Sequence, residues 1–263
     1  MQLHWHTEPF LLISLLAACW AFTLFTGPYF FKWSGQADGT YPLLKKVSFY
    51  GSVLILYLAV GSPLDQLAED YLFFAHMIQH MLLIYVVPLF LYASLSKELT
   101  EYLFQGKGTQ RIARLLGHPV FAGFVFIAVY TIWHIPLLYE AALHDKWIHV
   151  LEHGTMLITA IWMWWPFLSP CKKYLRASSY GVRILYAFLL MVGQLPVFAF
   201  LSFANVAIYE TYVWAPRIIP GLDPLNDQIL GGIIMKVTNM GVSLTIISWC
   251  FYKWSSKEQP EMP

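Results

Sequence analysis

Two histidine pairs carry the strongest chemical signal in this sequence. His76 and His80 stand four residues apart, each followed by a methionine, in Ala75-His76-Met77-Ile78-Gln79-His80-Met81. His149 and His153 repeat the spacing, with Glu152 between them. Residues four apart share one face of a helix. Neutral imidazole ligates zinc, copper and iron, and thioether sulfur (Met77, Met81) selects Cu(I). A carboxylate beside a ligating histidine fixes its tautomer. A fifth histidine, His134, precedes Ile135-Pro136. Taken singly, each has a plainer reading. One pair can simply pack against a neighbouring helix, His134 can bond backbone freed by the proline, and methionine fills core gaps. Together they point to a metal or haem site. The three cysteines, Cys19, Cys171 and Cys250, form no disulfide framework and no CxxC motif.

The elements that must hold these side chains are membrane helices. Of 263 residues, 58% are hydrophobic and only 12% charged, with a mean hydropathy of +0.57. Soluble domains carry about 25% charged residues. That deficit argues against a soluble enzyme, a disordered chain or a nucleic-acid binder. A span needs about 20 mostly apolar residues. Seven such runs are expected, at about 9–31, 47–64, 72–93, 118–139, 147–168, 184–206 and 229–252. They predict an all-α membrane protein, a seven-transmembrane-helix bundle forming a single membrane domain over residues 1–263. Leu16-Ala17-Ala18-Cys19 looks like a lipoprotein cleavage box, but residues 1–9 lack the positive region of a secretory signal.

Charge sets the direction. Lys and Arg collect on the cytoplasmic side. Thirteen of the sixteen lie in the first, third and fifth links and the C-terminal tail: Lys32, Lys45 and Lys46; Lys97, Lys107, Arg111 and Arg114; Lys172, Lys173, Arg176 and Arg183; Lys253 and Lys257. Only Lys146 and Arg217 fall on the other side. The expected topology is N-terminus outside, C-terminus cytoplasmic. The longest link, 94–117, reads as an interfacial helix.

This topology puts eight of nine histidines on or near the outer side; His118 starts the fourth span on the cytoplasmic side. At 1.5 Å per residue, His76 and His80 lie about 6 and 12 Å below the outer surface, His149 and His153 about 3 and 9 Å, and His134 about 7 Å. Ionisable groups inside spans are rare and usually functional. His4 and His6 are tail residues with a candidate role in metal capture, and His144 reads as a solvated link residue. Lys236 lies about 10 Å inside the last span. It calls for a partner such as Glu152, Glu140, Glu210 or Asp70, with Gln194 and Asn239 in the same polar network. Asp65 is a candidate cap for the short helix before span 3.

Gly61-Ser62-Pro63-Leu64, Ala75-His76-Met77-Ile78-Gln79-His80-Met81-Leu82-Leu83, Trp133-His134-Ile135-Pro136-x-Leu138-Tyr139, Trp147-x-His149-x-x-Glu152-His153 and Trp164-Trp165-Pro166 occur in this order. The combination resembles the CtaG family, the seven-helix bacterial cytochrome c oxidase assembly factors, not the single-span copper chaperone that shares the name. The resemblance runs from span 2 through span 5. It implies a multi-pass protein of the bacterial plasma membrane needed to make active caa-type oxidase, a metallochaperone handling copper. It also implies that His76, His80, His134, His149 and His153 bind the metal, and that the partners are oxidase subunits in the same lipid bilayer; an oligomer is compatible with it.

Three rivals remain open on the sequence. His149-x-x-Glu152-His153 fits the inverted zinc-protease motif, so a membrane-embedded zinc hydrolase with Glu152 as base is one. A haem-binding protein with one axial histidine from each of two helices is the second. A scaffold with inert histidines is the third.

Overall fold

The computed structural model describes residues 5, 7–30, 40–171, 173 and 179–258. The candidate residues His4 and His6 and the basic residues Lys32, Lys172 and Arg176 lie outside them, as does the Lys257 side chain. Every extended element among the described residues is helical. In chain order these are α1 (Pro9–Thr26), α2 (Leu43–Val60), α3 (Pro63–Asp70) and α4 (Phe73–Met81). A π-helical segment, Leu82–Val86, leads from α4 into α5 (Val87–Ser94). Next come α6 (Lys97–Leu103), α7 (Lys107–Leu116), α8 (Pro119–Trp133), α9 (Pro136–His144) and α10 (Lys146–Leu168). The last four are α11 (Tyr180–Gly193), α12 (Leu195–Ser202), α13 (Glu210–Trp214) and α14 (Pro224–Glu258).

Five helical stretches are long and apolar enough to cross a membrane: Pro9–Thr26, Leu43–Asp70, Phe73–Ser94, Tyr180–Ser202 and Pro224–Ser256. A sixth joins them if Lys107–Leu116 and Pro119–Trp133, bent by 72°, are taken as one. The expected fifth span corresponds to α10, whose 23 residues reach about 34 Å. His149, Glu152, His153 and its tryptophans hold its mean hydropathy below that of the other five. The expected fourth span does not run unbroken through 139. The helix stops at Trp133, because Ile135, next to Pro136, is extended at φ −68°, ψ 126°. The expected single helix in 94–117 is two, α6 and α7, parted at Phe104–Gly106.

Caps explain most starts. Ser62 accepts from Leu64 N–H, with Pro63 in the first turn of α3. Asp145 accepts from Trp147 and Ile148 N–H at α10, and Ser96 and Ser179 cap α6 and α11. Asp65 is therefore not the cap of α3; Ser62 is. Asp65 is buried in the first turn, where its carboxylate accepts from Gln79 Nε2.

The chain segments between these stretches sort to two ends of the bundle. At one end Lys146 pairs with Glu8, Trp5 stacks on Tyr57, and Tyr212 OH donates to the Ala68 carbonyl. At the other, Lys45 Nζ donates to the Leu95 carbonyl at 2.6 Å and Trp162 Nε1 to that of Leu116 at 3.2 Å. The Cys171 thiol there faces Glu101. On α1, Phe10, Ile13, Leu16 and Trp20 are 62–68% exposed, an apolar face that matches a lipid environment.

Candidate metal centre

The histidines are positioned from three directions. His76 and His80 project from α4. Leu72, at the N-cap position of α4, provides no capping side chain. Asp227, far away on α14, does that work: its two carboxylate oxygens accept from Phe73 and Phe74 N–H, each at 2.9 Å. Gly231, one turn further along α14, lets the two helices close. A Cβ there would stand 2.5 Å from the Phe73 ring and 3.0 Å from Met77 Cγ. Directly after Met81 the backbone widens into the π-helical turn, a feature common at functional sites. Pro88 has no N–H for the Ile84 carbonyl, which instead accepts from Trp164 Nε1 at 2.8 Å. That bond clamps the end of this unit to α10. His149, Glu152 and His153 come from α10, and His134 sits in the break between α8 and α9.

These side chains meet in the interior. His76, His80 and Glu152 are fully buried, and His134, His149 and His153 nearly so. One ligand atom each from His76, His149, Glu152 and His153 lies within 4.8 Å of all the others. His80 joins this group, its Nε2 2.9 Å from His76 Nε2 and 3.5 Å from Glu152 Oε1. The His153 ring lies 4.1, 5.4 and 5.5 Å from those of His149, His80 and His76. His134 is peripheral, its ring 5.8 Å from that of His80.

The surrounding hydrogen bonds decide which nitrogen faces inward. His134 Nδ1 meets the Tyr130 carbonyl at 2.6 Å, and His149 Nδ1 meets the Glu69 carboxylate. Both partners only accept, so in the neutral rings both Nδ1 atoms carry the proton and Nε2 keeps the lone pair. Tyr212 OH donates to the Ala68 carbonyl at 2.7 Å. With its one proton committed, it accepts from His76 Nδ1 at 3.3 Å, which again leaves Nε2 as the free base. Orienting bonds of this kind accompany ligating histidines.

What remains inside is a set of buried polar atoms with no hydrogen-bond partner. They are His80 Nδ1, the Nε2 atoms of His134, His149 and His153, both oxygens of Glu152, and Gln79 Oε1. Buried polar groups are nearly always paired, and a concentration of orphans asks for an explanation. Imidazole nitrogens and a carboxylate are the donor set of a first-row transition ion. Beside them opens a cavity of about 400 Å³, reached by His149, His153, Asp65, Glu69, Glu8 and Lys146.

Not every candidate joins this group. Met77 lies against Gly231 on the neighbouring face of α4, and Met81 is buried in the apolar core. Lys236 is half-buried on α14 and forms no ion pair among the described residues. Glu140 instead accepts from Thr211, through its backbone N–H and its hydroxyl. Gln194 and Asn239 meet each other through Tyr85. His118 caps α8, and His144 ends α9 at the cavity. Sequence reasoning missed Glu69, Tyr209, Tyr212 and Asp227. Tyr209 OH donates to the His134 carbonyl at 2.9 Å, and its ring lies 4.1 Å from that of Tyr139 and 5.2 Å from Phe73. The only sequence signal for this roof was polar aromatics after span 6.

Fold and site together define a class: an all-helical membrane protein with imidazoles and a carboxylate gathered inside one end of its bundle. The family model for the cytochrome c oxidase caa3 assembly factor (Caa3_CtaG) matches residues 8–257. The chain belongs to this family and is a multi-pass bacterial membrane protein that serves cytochrome c oxidase assembly. No curated protein and no solved structure matches the chain.

Proposed function

We propose that this assembly factor binds copper through His76, His80, His149 and His153 with Glu152, His134 at the edge, and supplies it to an oxidase subunit in the same membrane. Copper is cargo here. The observation that carries the reading is the convergence of orphaned imidazole nitrogens and carboxylate oxygens from α4, α8 and α10. For nitrogen and oxygen donors, Cu²⁺ heads the affinity order of divalent ions. No thiolate is needed.

The topology belongs to the same proposal: seven spans, N-terminus outside, C-terminus cytoplasmic. Two things support it. Thirteen of sixteen Lys and Arg fall in alternate links and the tail. The contacts at the two bundle ends join the N-terminus with the 65–72, 139–146 and 207–228 segments, and the 40–45, 94–117 and 169–173 segments with one another. Successive crossings of a membrane require that alternation, and an odd number puts the two termini on opposite sides. The metal group then opens to the outer face.

A second reading has one observation in its favour. Glu152 stands 3.5 and 3.9 Å from His80 and His76 Nε2, where the carboxylate of a zinc hydrolase would act as base. For haem, the same closeness of the rings leaves no slot for a porphyrin between them. Purified protein with its metal counted separates these readings. Copper retained by wild type and lost from His80→Ala and His153→Ala is the expected result, with oxidase copper content lowered in cells carrying either variant. Stoichiometric zinc points to the hydrolase. Equal copper in both variants removes the ligand set, and normal oxidase copper and activity in both leaves a scaffold.

A further inference from the structure

His149 belongs to two groups at once. Its ring stands among His76, Glu152 and His153, and it also stands within 4.8 Å of ligand oxygens of Asp65 and Glu69, with which it forms a second potential metal-binding triad. Asp65 and Glu69 are four residues apart on α3, so they share a face, and that face looks into the cavity of about 400 Å³. The triad is not a mere patch of acid. Asp65 is 7% exposed and held by the buried Gln79 amide, whose own Oε1 has no partner. His149 is also 7% exposed, and its Nε2 is an orphan. The cavity reaches both groups, since His153 lines it as well.

We propose that Asp65, Glu69 and His149 form an outer station for a divalent transition-metal ion, which then passes to the inner histidines. This deepens, and rests on, the copper-binding reading above. Two carboxylates and one imidazole form a harder donor set than the inner group and suit a divalent ion better than Cu(I). Ions arriving hydrated meet carboxylates first, and three of these (Glu8, Asp65 and Glu69) line the cavity.

The chemistry of the shared ring makes the two stations alternatives. A neutral imidazole has one lone pair and one N–H. With the ion outside, Nδ1 ligates and Nε2 carries the proton. With the ion inside, Nε2 ligates and Nδ1–H donates to Glu69, the arrangement the structure displays. One proton leaves Nε2 and one is taken up at Nδ1, while one ion moves the other way. Glu69 is thus a ligand in the first state and an orienting acceptor in the second.

The test uses full-length protein in detergent and Cu²⁺ as the probe. The Asp65→Asn variant removes one carboxylate of the outer triad, keeps an acceptor for Gln79 and leaves the Glu69–His149 bond in place. It is expected to reach wild-type copper content while loading about tenfold or more slowly, the scale of losing one partner at a metal site. Loading at the wild-type rate overturns the station, and so does a lowered final content with unchanged rate, which marks Asp65 as a structural residue alone. A triple variant, His76→Ala, His80→Ala and His153→Ala, gives an independent measurement by electron paramagnetic resonance. It should hold Cu²⁺ coupled to one nitrogen, and Glu69→Gln added to it should abolish the signal. Coupling to more than one nitrogen, or a signal indifferent to Glu69, overturns the proposal. A wild type that binds no copper is a different failure: it sinks the inner site.

Discussion

Among the described residues, two of the buried polar clusters are built differently. One is the histidine group. The other joins Tyr85 in the π-helical turn, Gln194 at the break between α11 and α12, and Asn239 on α14. In the second cluster the groups satisfy one another: Asn239 Nδ2 donates to Tyr85 OH at 3.0 Å, Tyr85 OH to Gln194 Oε1 at 3.3 Å, and Gln194 Nε2 to the Leu190 carbonyl at 3.1 Å. Only Asn239 Oδ1 is left over, beside a cavity of about 10 Å³, room for one water at most. The histidine group keeps its orphans together and opens onto some 400 Å³. Both sit at interruptions in helices. A closed polar network locks helices together, whereas an open one leaves polar atoms without partners inside the bundle.

Four experiments break or sharpen that contrast. Protons compete with copper for the imidazole lone pairs, so affinity should be flat above the imidazole range. Once the pH drops far enough for these buried imidazoles to take up protons it should fall, by about tenfold or more per unit. Copper retained undiminished in acid strong enough to protonate every imidazole would speak against histidine ligation. Next in size is Asp227→Asn, which strips the charged acceptor from the start of α4. Bonds to a charged group are each worth about 1.5–3 kcal/mol. A lowered melting temperature together with weakened copper binding is expected, and unchanged copper affinity would detach the cap from the site. Gly231→Ala pushes a methyl into the Phe73 ring and Met77, an overpacking cost of about 1–3 kcal/mol. A stability gain would mean α4 has slack that the close approach of α14 denies. Smallest is Tyr85→Phe, at about 1 kcal/mol and with copper content unchanged. Copper loss in that variant would show the two clusters to be one.

Several features were legible in advance because they depend on neighbours in sequence. Apolar run length located α4 and α10, which carry the two histidine pairs, and the i,i+4 spacing put His76 with His80 and His149 with His153. The stop near His134 was readable from Ile135-Pro136, since the residue before proline avoids helical geometry. Apolar residues that continue on both sides mask the break. Met77 follows His76 by one residue, about 100° round the helix, so its neighbour's facing gave no warrant for its own. Glu69 lies outside the expected spans, and only the packing of α3 brings it to the cavity. For Lys236 the expectation of a carboxylate partner came from depth alone; the acids nearest in expected depth are engaged elsewhere, Glu140 by Thr211 and Glu152 by the histidines.

Composition, apolar run length and the placement of Lys and Arg determined by themselves that this chain is a helical membrane protein, and repeat spacing determined which imidazoles share a face. Those are properties of one helix and its solvent. Tertiary structure alone decided that Glu152 stands at the middle of the imidazoles, that Asp227 caps a helix 154 residues away in sequence, and that Tyr209 and Tyr212 roof the site. Each of those rests on how separate helices are rotated and how closely they approach. That is fixed by side-chain packing across the whole bundle, as at Gly231 against Phe73, and no local pattern encodes it.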